Sequence, residues 1–285
     1  MQFQDLLVYL DGWSRCETTM RVAALLAKRC NARLSGLHVQ GLLLPTQIGL
    51  NLAEARDALT SSHALGRLRE ADLSAGERAQ QVFTHHLAAT GLQGEWIEQE
   101  GLVSHTAGLV ARRFDLTVVG QVNPQLPPLG TRAMVPEALF MESGRPVLVV
   151  PHTGEFATIG THVLLAWDGS REATRAVHDA LPLLEKAESV RVVTIEREAR
   201  FADGALADPM DLVRHLERHA ITAQAVVREL RKGAVAETLL SCAAAQHTDL
   251  LVMGGYGHSR LFEIVTGGTT RQMLLEMTIP VLLSH

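Results

Sequence analysis

Short runs of Val, Leu and Ile, nearly continuous in hydrophobicity, alternate along the chain with longer segments in which apolar residues return every three or four positions. The first pattern belongs to strands buried on both faces and the second to amphipathic helices. Their alternation predicts βαβ units, a parallel sheet with helices on both sides. In the second half the pattern predicts strands near 162–168, 190–195, 221–227, 249–254 and 280–284, and helices near 171–186, 208–219, 234–246 and 268–277.

The pattern also repeats. Leu6-Leu7-Val8-Tyr9-Leu10-Asp11-Gly12 is echoed by Val163-Leu164-Leu165-Ala166-Trp167-Asp168-Gly169, 157 positions later. Phe114-Asp115-Leu116-Thr117-Val118-Val119-Gly120 matches Thr248-Asp249-Leu250-Leu251-Val252-Met253-Gly254, and Arg145-Pro146-Val147-Leu148-Val149-Val150 matches Ile279-Pro280-Val281-Leu282-Leu283-Ser284; both pairs lie 134 positions apart. A shared offset means that the two strands are joined by equal lengths of chain in both halves, which duplication explains. The expected fold is α/β: two doubly wound five-stranded parallel-sheet domains in tandem, Rossmann-like, each with strand order 3-2-1-4-5. Their expected spans are 1–152 and 160–285, joined across His152 to Thr161, whose most turn-like part is Thr153-Gly154-Glu155. The offset falls by 23 between the two matches, so the first half carries about that many extra residues. The polar, Ala-rich stretch from Asn51 to Thr90 accommodates them as added helix.

Composition narrows the function. With 285 residues, 47% hydrophobic and 20% charged, the chain is expected to be a soluble globular protein, and no uninterrupted apolar run reaches the 18 residues of a membrane span. The start runs straight into a strand without the basic and apolar regions of a signal peptide. Cys16, Cys30 and Cys242 are scattered and without C-x-x-C spacing, so neither a disulfide framework nor a cysteine zinc site is expected, and a cytoplasmic setting fits. The 26 basic residues against 31 acidic ones, a formal charge of −5, form no long basic stripe, and aromatics make up 4%; nucleic acid is not an expected partner.

In doubly wound sheets, ligands bind beyond the carboxyl ends of the strands where the strand order reverses. Asp168 and Gly254 close the first and fourth strands of the second half, which are neighbours in the expected order. After Gly254 the chain runs Gly255-Tyr256-Gly257 and, ten residues on, Gly267-Gly268-Thr269-Thr270 into a helix. Glycines let backbone N–H groups converge, and a helix N-terminus adds donors and partial positive charge, so an anion such as phosphate is the natural guest. Gly254-x2-Gly257-x9-Gly267 between strand and helix resembles the nucleotide-binding signature of the universal stress protein family. Because the first and last strands of both halves fit too, the whole chain resembles a tandem universal stress protein.

The resemblance implies binding of ATP or a related adenine nucleotide, with or without Mg2+, in a stress-response or signalling role with at most weak ATP hydrolysis. It implies that Asp168 contacts the adenine, that Ile195 stands where the family uses backbone contacts to the base, and that Gly254, Gly257 and Gly267 form the phosphate loop. The family places Ser or Thr directly after the last glycine; here Gly268 stands there, with Thr269 and Thr270 following, and either hydroxyl is a candidate. In the first half the 134 offset sets Asn123, Ala133, Met134 and Val135 opposite Gly257, Gly267, Gly268 and Thr269, and Pro124, Pro127, Pro128 and Pro136 remove N–H groups from the same region. One nucleotide site per chain is expected, in the second half. The alternative is an interaction scaffold of the same fold that binds no nucleotide.

Other signals carry ordinary readings. His215 and His219 share a helical face but lack a third ligand in the sequence, so a solvated face rather than a metal is expected. His85 and His86 are adjacent and so point apart on a helix. Gly257-His258-Ser259-Arg260-Leu261 departs from a nucleophile elbow at its last position. Arg260 and Arg271 are candidate phosphate neighbours or surface residues, and Trp13, Trp96 and Trp167 are expected to pack. The two closing strands, 146–150 and 280–283, are apolar edges needing cover, so pairing of the two halves or of two chains is expected.

Overall fold

The computed structural model describes residues 2–13, 15–41, 62–122, 135–196, 208–230, 234–255 and 268–285. They fall into two compact units, residues 4–145 in one and residues 146–285 with Gln2 and Phe3 in the other.

In the first unit β1 (Asp5–Tyr9) pairs in parallel with β2 (Arg33–Gly41) on one side and β4 (Leu116–Gly120) on the other, and β3 (Trp96–Gly101) extends the sheet beyond β2. The connecting helices are α1 (Cys16–Cys30), α2 (Ser62–Thr90), α3 (Val103–Ala111) and α4 (Val135–Glu142). The order β3-β2-β1-β4 is the expected one. Of the stretch from Asn51 to Thr90, Ser62–Thr90 forms α2, and residues 51–61 lie outside the described residues.

The second unit repeats the plan with β6 (His162–Ala166), β7 (Ser189–Glu196), β8 (Ala223–Glu229), β9 (Leu250–Gly254) and β10 (Val281–Ser284), in the order β8-β7-β6-β9-β10. Its helices are α5 (Arg171–Leu184), α6 (Pro209–Arg218), α7 (Val235–Ala245) and α8 (Thr269–Glu276), each within a few residues of its predicted place. The pattern is legible because the strands are dry on both faces: Leu164, Leu165, Leu250, Leu251, Val281 and Leu282 are all buried. Helix α5 buries Ala173, Ala176, Val177, Ala180, Leu183 and Leu184 at helical spacing. The sheet has a sixth member. β5 (Val147–Val150), which closes the first repeat in sequence, belongs to this unit and runs antiparallel to β10, with Leu148 opposite Leu282. Both strands were expected as apolar edges, and their pairing covers both rows of backbone donors and acceptors; the sheet is therefore mixed rather than purely parallel.

The duplication extends to single hydrogen bonds. The carboxylate of Asp115 accepts from the N–H groups of Gln4 (2.8 Å) and Asp5 (3.0 Å), and Asp249, 134 positions later, accepts from Thr161 (3.0 Å) and His162 (2.9 Å). Their own N–H groups donate to Asp5 O and His162 O. Each aspartate thus ties the start of the first strand of its repeat to that of the fourth and fixes their register. Replacing either by Ala strands two backbone donors, so Asp115→Ala and Asp249→Ala should each lower unfolding free energy by about 1–3 kcal/mol, read from denaturant curves.

Candidate functional site

The strand order reverses between β6 and β9, which pair from Val163↔Leu250 to Leu165↔Val252, so their carboxyl ends lie side by side. Right-handed crossovers put α5 and α6, which step from β6 towards β8, on one face, and α7 and α8, which step back towards β10, on the other. Helix α8 runs back along β10, so its N-terminus lies at the carboxyl edge.

Asp168 follows β6 in a tight turn. Its Oδ1 accepts from Ser170 N–H at 3.0 Å, Gly169 adopts φ 75°, and Ser170 caps α5 by accepting from Ala173 N–H at 3.1 Å. Asp168 is exposed, and its second oxygen has no partner among the described residues. One oxygen of this carboxylate shapes the turn.

Gly254 has a packing reason of its own. A Cβ there would lie 2.4 Å from Ala173 N and 2.4 Å from Glu172 C, so only glycine lets the start of α5 lie against the end of β9. Since Leu165 is paired with Val252, Trp167 shares the face on which Gly254 meets α5. Ala166 is paired with Val193, so Ile195 belongs to the opposite face, that of α8. Ile195 is half-buried on β7 beyond the last pairing with β6, where Trp167 N–H reaches Val193 O at 2.9 Å.

Helix α8 begins at Gly268 (φ −47°, ψ 153°), which has no side chain to cap the first N–H groups. The two candidate hydroxyls separate here: Thr270 is buried, 2% exposed, whereas Thr269 is partly exposed. Gly257, Gly267 and Arg260 lie outside the described residues. The structure therefore brings Asp168, Ile195 and the start of α8 to one edge of the sheet, sets Gly254 into the sheet between β6 and β10, and turns Thr270 inward.

The first repeat has the same turn and a different neighbour. Trp13 N–H donates to Asp11 Oδ1 at 2.9 Å and Gly12 adopts φ 73°, matching the turn at Asp168. Over it lies α2. A Cβ on Gly12 would fall 1.8 Å from Ala75 O; Arg78 Nε donates to Gly12 O at 3.2 Å, and the Arg78 guanidinium sits 5.7 Å from the Trp13 ring centroid. At the end of β2, Gly41 N–H donates to Asp72 Oδ2 at 2.9 Å. His38, buried on the same strand, has Nδ1 2.9 Å from Leu10 O; since a carbonyl only accepts, Nδ1 carries the proton. The helix thus fills the carboxyl edge of β1 and β2. A sequence signal for this existed: Asp72 falls in the stripe Asp72, Ala75, Ala79, Phe83, all buried, and a carboxylate inside an apolar stripe needs a donor. Behind the turn, burial and the charge of Asp11 push the Cys16 thiol up to about 12.

Among the described residues no helix is long and apolar enough to cross a membrane. Residues 161–285 match the family model described as the universal stress protein family. The chain is 25% identical to a universal stress protein of Synechocystis sp., covering 98% of this chain and 99% of that one. Among solved structures, a universal stress protein from Archaeoglobus fulgidus DSM 4304 shares the fold with a TM-score of 0.72 at 16% identity, over 99% of this chain and 96% of its own. A putative universal stress protein from Pseudomonas aeruginosa UCBPP-PA14 gives 0.60 at 16% identity, over 99% and 93%. The strand order and its reversal between β6 and β9 define a doubly wound α/β fold. Within that class, residues 161–285 match the universal stress protein family, and the chain as a whole is similar to proteins of that family.

Two outcomes test the covered turn. Gly12→Ala should cost clearly more stability than Gly91→Ala, because Gly91 (φ 69°) has nothing near its Cβ position and incurs only the left-handed term of about 1–2 kcal/mol. In the folded protein Cys16 should resist alkylation at neutral pH, since its thiolate is scarce and its side chain buried.

Proposed function

We propose that the second repeat, 160–285, binds one adenine nucleotide, ATP or a relative with or without Mg2+, and that the first repeat, 1–152, serves structure or partner contacts. The observation that carries this reading is the contrast between two matched turns. Asp11-Gly12 lies under α2, whereas Asp168-Gly169 is exposed and keeps one carboxylate oxygen unpartnered among the described residues. In this reading Asp168 accepts a hydrogen bond from the adenine and backbone at Ile195 lies along the base. Gly254, Gly257, Gly267 and Gly268 let N–H groups at the start of α8 approach the phosphates, with Thr269 as the hydroxyl donor. Thr270, being buried, is left to packing. The role is nucleotide-dependent signalling in the stress response with at most weak hydrolysis, in the cytoplasm, where three buried cysteines stay free, and with self-association of the chain.

One observation favours the scaffold reading: the turn at Asp168 and the packing at Gly254 each explain their residue without a ligand. Denaturing freshly purified protein and identifying the released small molecules by chromatography and mass spectrometry separates the two. Adenine nucleotide is expected from the wild type and none from folded Gly257→Asp. A wild type that releases none, and gives no heat when titrated with ATP, refutes nucleotide binding.

A further inference from the structure

His178 of α5 and His215 and His219 of α6 form a row of three rings between the two helices. The His178 ring is centred 5.4 Å from that of His215 at an interplanar angle of 48°, and the His215 ring 4.9 Å from that of His219 at 62°. Tilted and edge-on arrangements at such separations are those of favourable aromatic pairs, so the neutral rings pack on one another. His215, in the middle, is half-buried, and its Nε2 is buried without a hydrogen-bond partner among the described residues; His178 and His219 are exposed. His178 Nδ1 lies 2.9 Å from Thr174 O, and because a carbonyl only accepts, Nδ1 carries the proton.

Nothing around the middle ring compensates a positive charge on it. Burial, then His219, His178 and Arg218, lower the His215 pKa, and the charged groups that act on it are all bases. The carboxylates of Asp179 on α5 and Asp211 on α6 are held by Arg175 at 2.9 Å and Arg214 at 2.7 Å. Glu217 is exposed on α6, two residues from His215 and therefore on another side of the helix. From the strands beneath, the pairing sets Val190 and Val192 of β7 and Ala223 and Ala225 of β8 on the face that carries α5 and α6. Glu229 shares that face but lies at the carboxyl end of β8, where α6 begins, whereas His215 lies past the middle of α6.

We propose that the three imidazoles form an acid-sensitive latch between α5 and α6, packing when neutral and loosening α6 when protonated. A proton on His215 would place a cation, without an acceptor at Nε2, between two further imidazoles and beside Arg218. Because the His215 pKa is lower in the folded chain than in the unfolded one, the folded form binds fewer protons. The latch is therefore complete above about pH 6.5, and its stabilisation is lost as the pH falls from there through the folded-state value.

The test uses the full chain between about pH 8 and about pH 5, the range in which imidazoles titrate. Proton NMR of the rings should show His215 titrating below the ordinary value of about 6.5, with its midpoint moved up in His178→Gln and in His219→Gln. Protection of the α6 amides against hydrogen exchange, corrected for the intrinsic effect of pH, should fall over the same range in the wild type and hold in His215→Gln, with circular dichroism unchanged. His86→Gln, in the first repeat, should leave the response of α6 as in the wild type. A His215 midpoint at or above the ordinary value, or one unmoved in either variant, overturns the latch. So does α6 protection that stays constant in the wild type, or that falls equally in His215→Gln.

Discussion

The parallel pairing of the first and fourth strands in each repeat is the interaction on which the rest depends. It sets the two strand ends level, it makes the point where the chain reverses direction across the sheet, and it is pinned at the opposite end by Asp115 in one repeat and Asp249 in the other. A one-residue slip would turn the buried run of β1 or β6 inside out and separate the turn at Asp11 or Asp168 from the glycine that closes β4 or β9. The level strand ends are a consequence of register.

On that shared frame the two repeats diverged by what was placed over the strand ends. In the first, α2 sets the Ala75 carbonyl against Gly12 and brings a guanidinium and a carboxylate to the ends of β1 and β2, where each meets a backbone polar group. In the second, the matching turn is exposed, and α8, which precedes β10, starts at a glycine without a side-chain cap. The same local turn chemistry, an aspartate accepting from the residue two ahead with glycine between, therefore occurs both under a covering helix and, among the described residues, at an exposed turn.

Much of this was legible in the sequence because it rests on patterns of period two and period three to four. Runs such as Val163-Leu164-Leu165 and Leu250-Leu251-Val252 are apolar on both faces only if helices cover both, and equal spacings between matching runs reveal duplication and strand order. What was not legible depends on tertiary contact. That Thr270 turns inward and Thr269 outward follows from packing of α8. That Gly254 is needed to admit Glu172 and Ala173 is invisible without α5 in place. The antiparallel partner of β10 could be foreseen as a need but not as β5. His178 joins His215 only through the packing of two helices that are separated in sequence by a strand.

The central claim is that one repeat is open to a nucleotide and the other is filled. Calorimetric titration of the nucleotide-free full chain with ATP tests it most directly through its stoichiometry. One site per chain is expected, weakened by Asp168→Ala and unaffected by Asp11→Ala in protein that remains folded. Two sites per chain, or a single site lost on changing Asp11 and retained on changing Asp168, would contradict it.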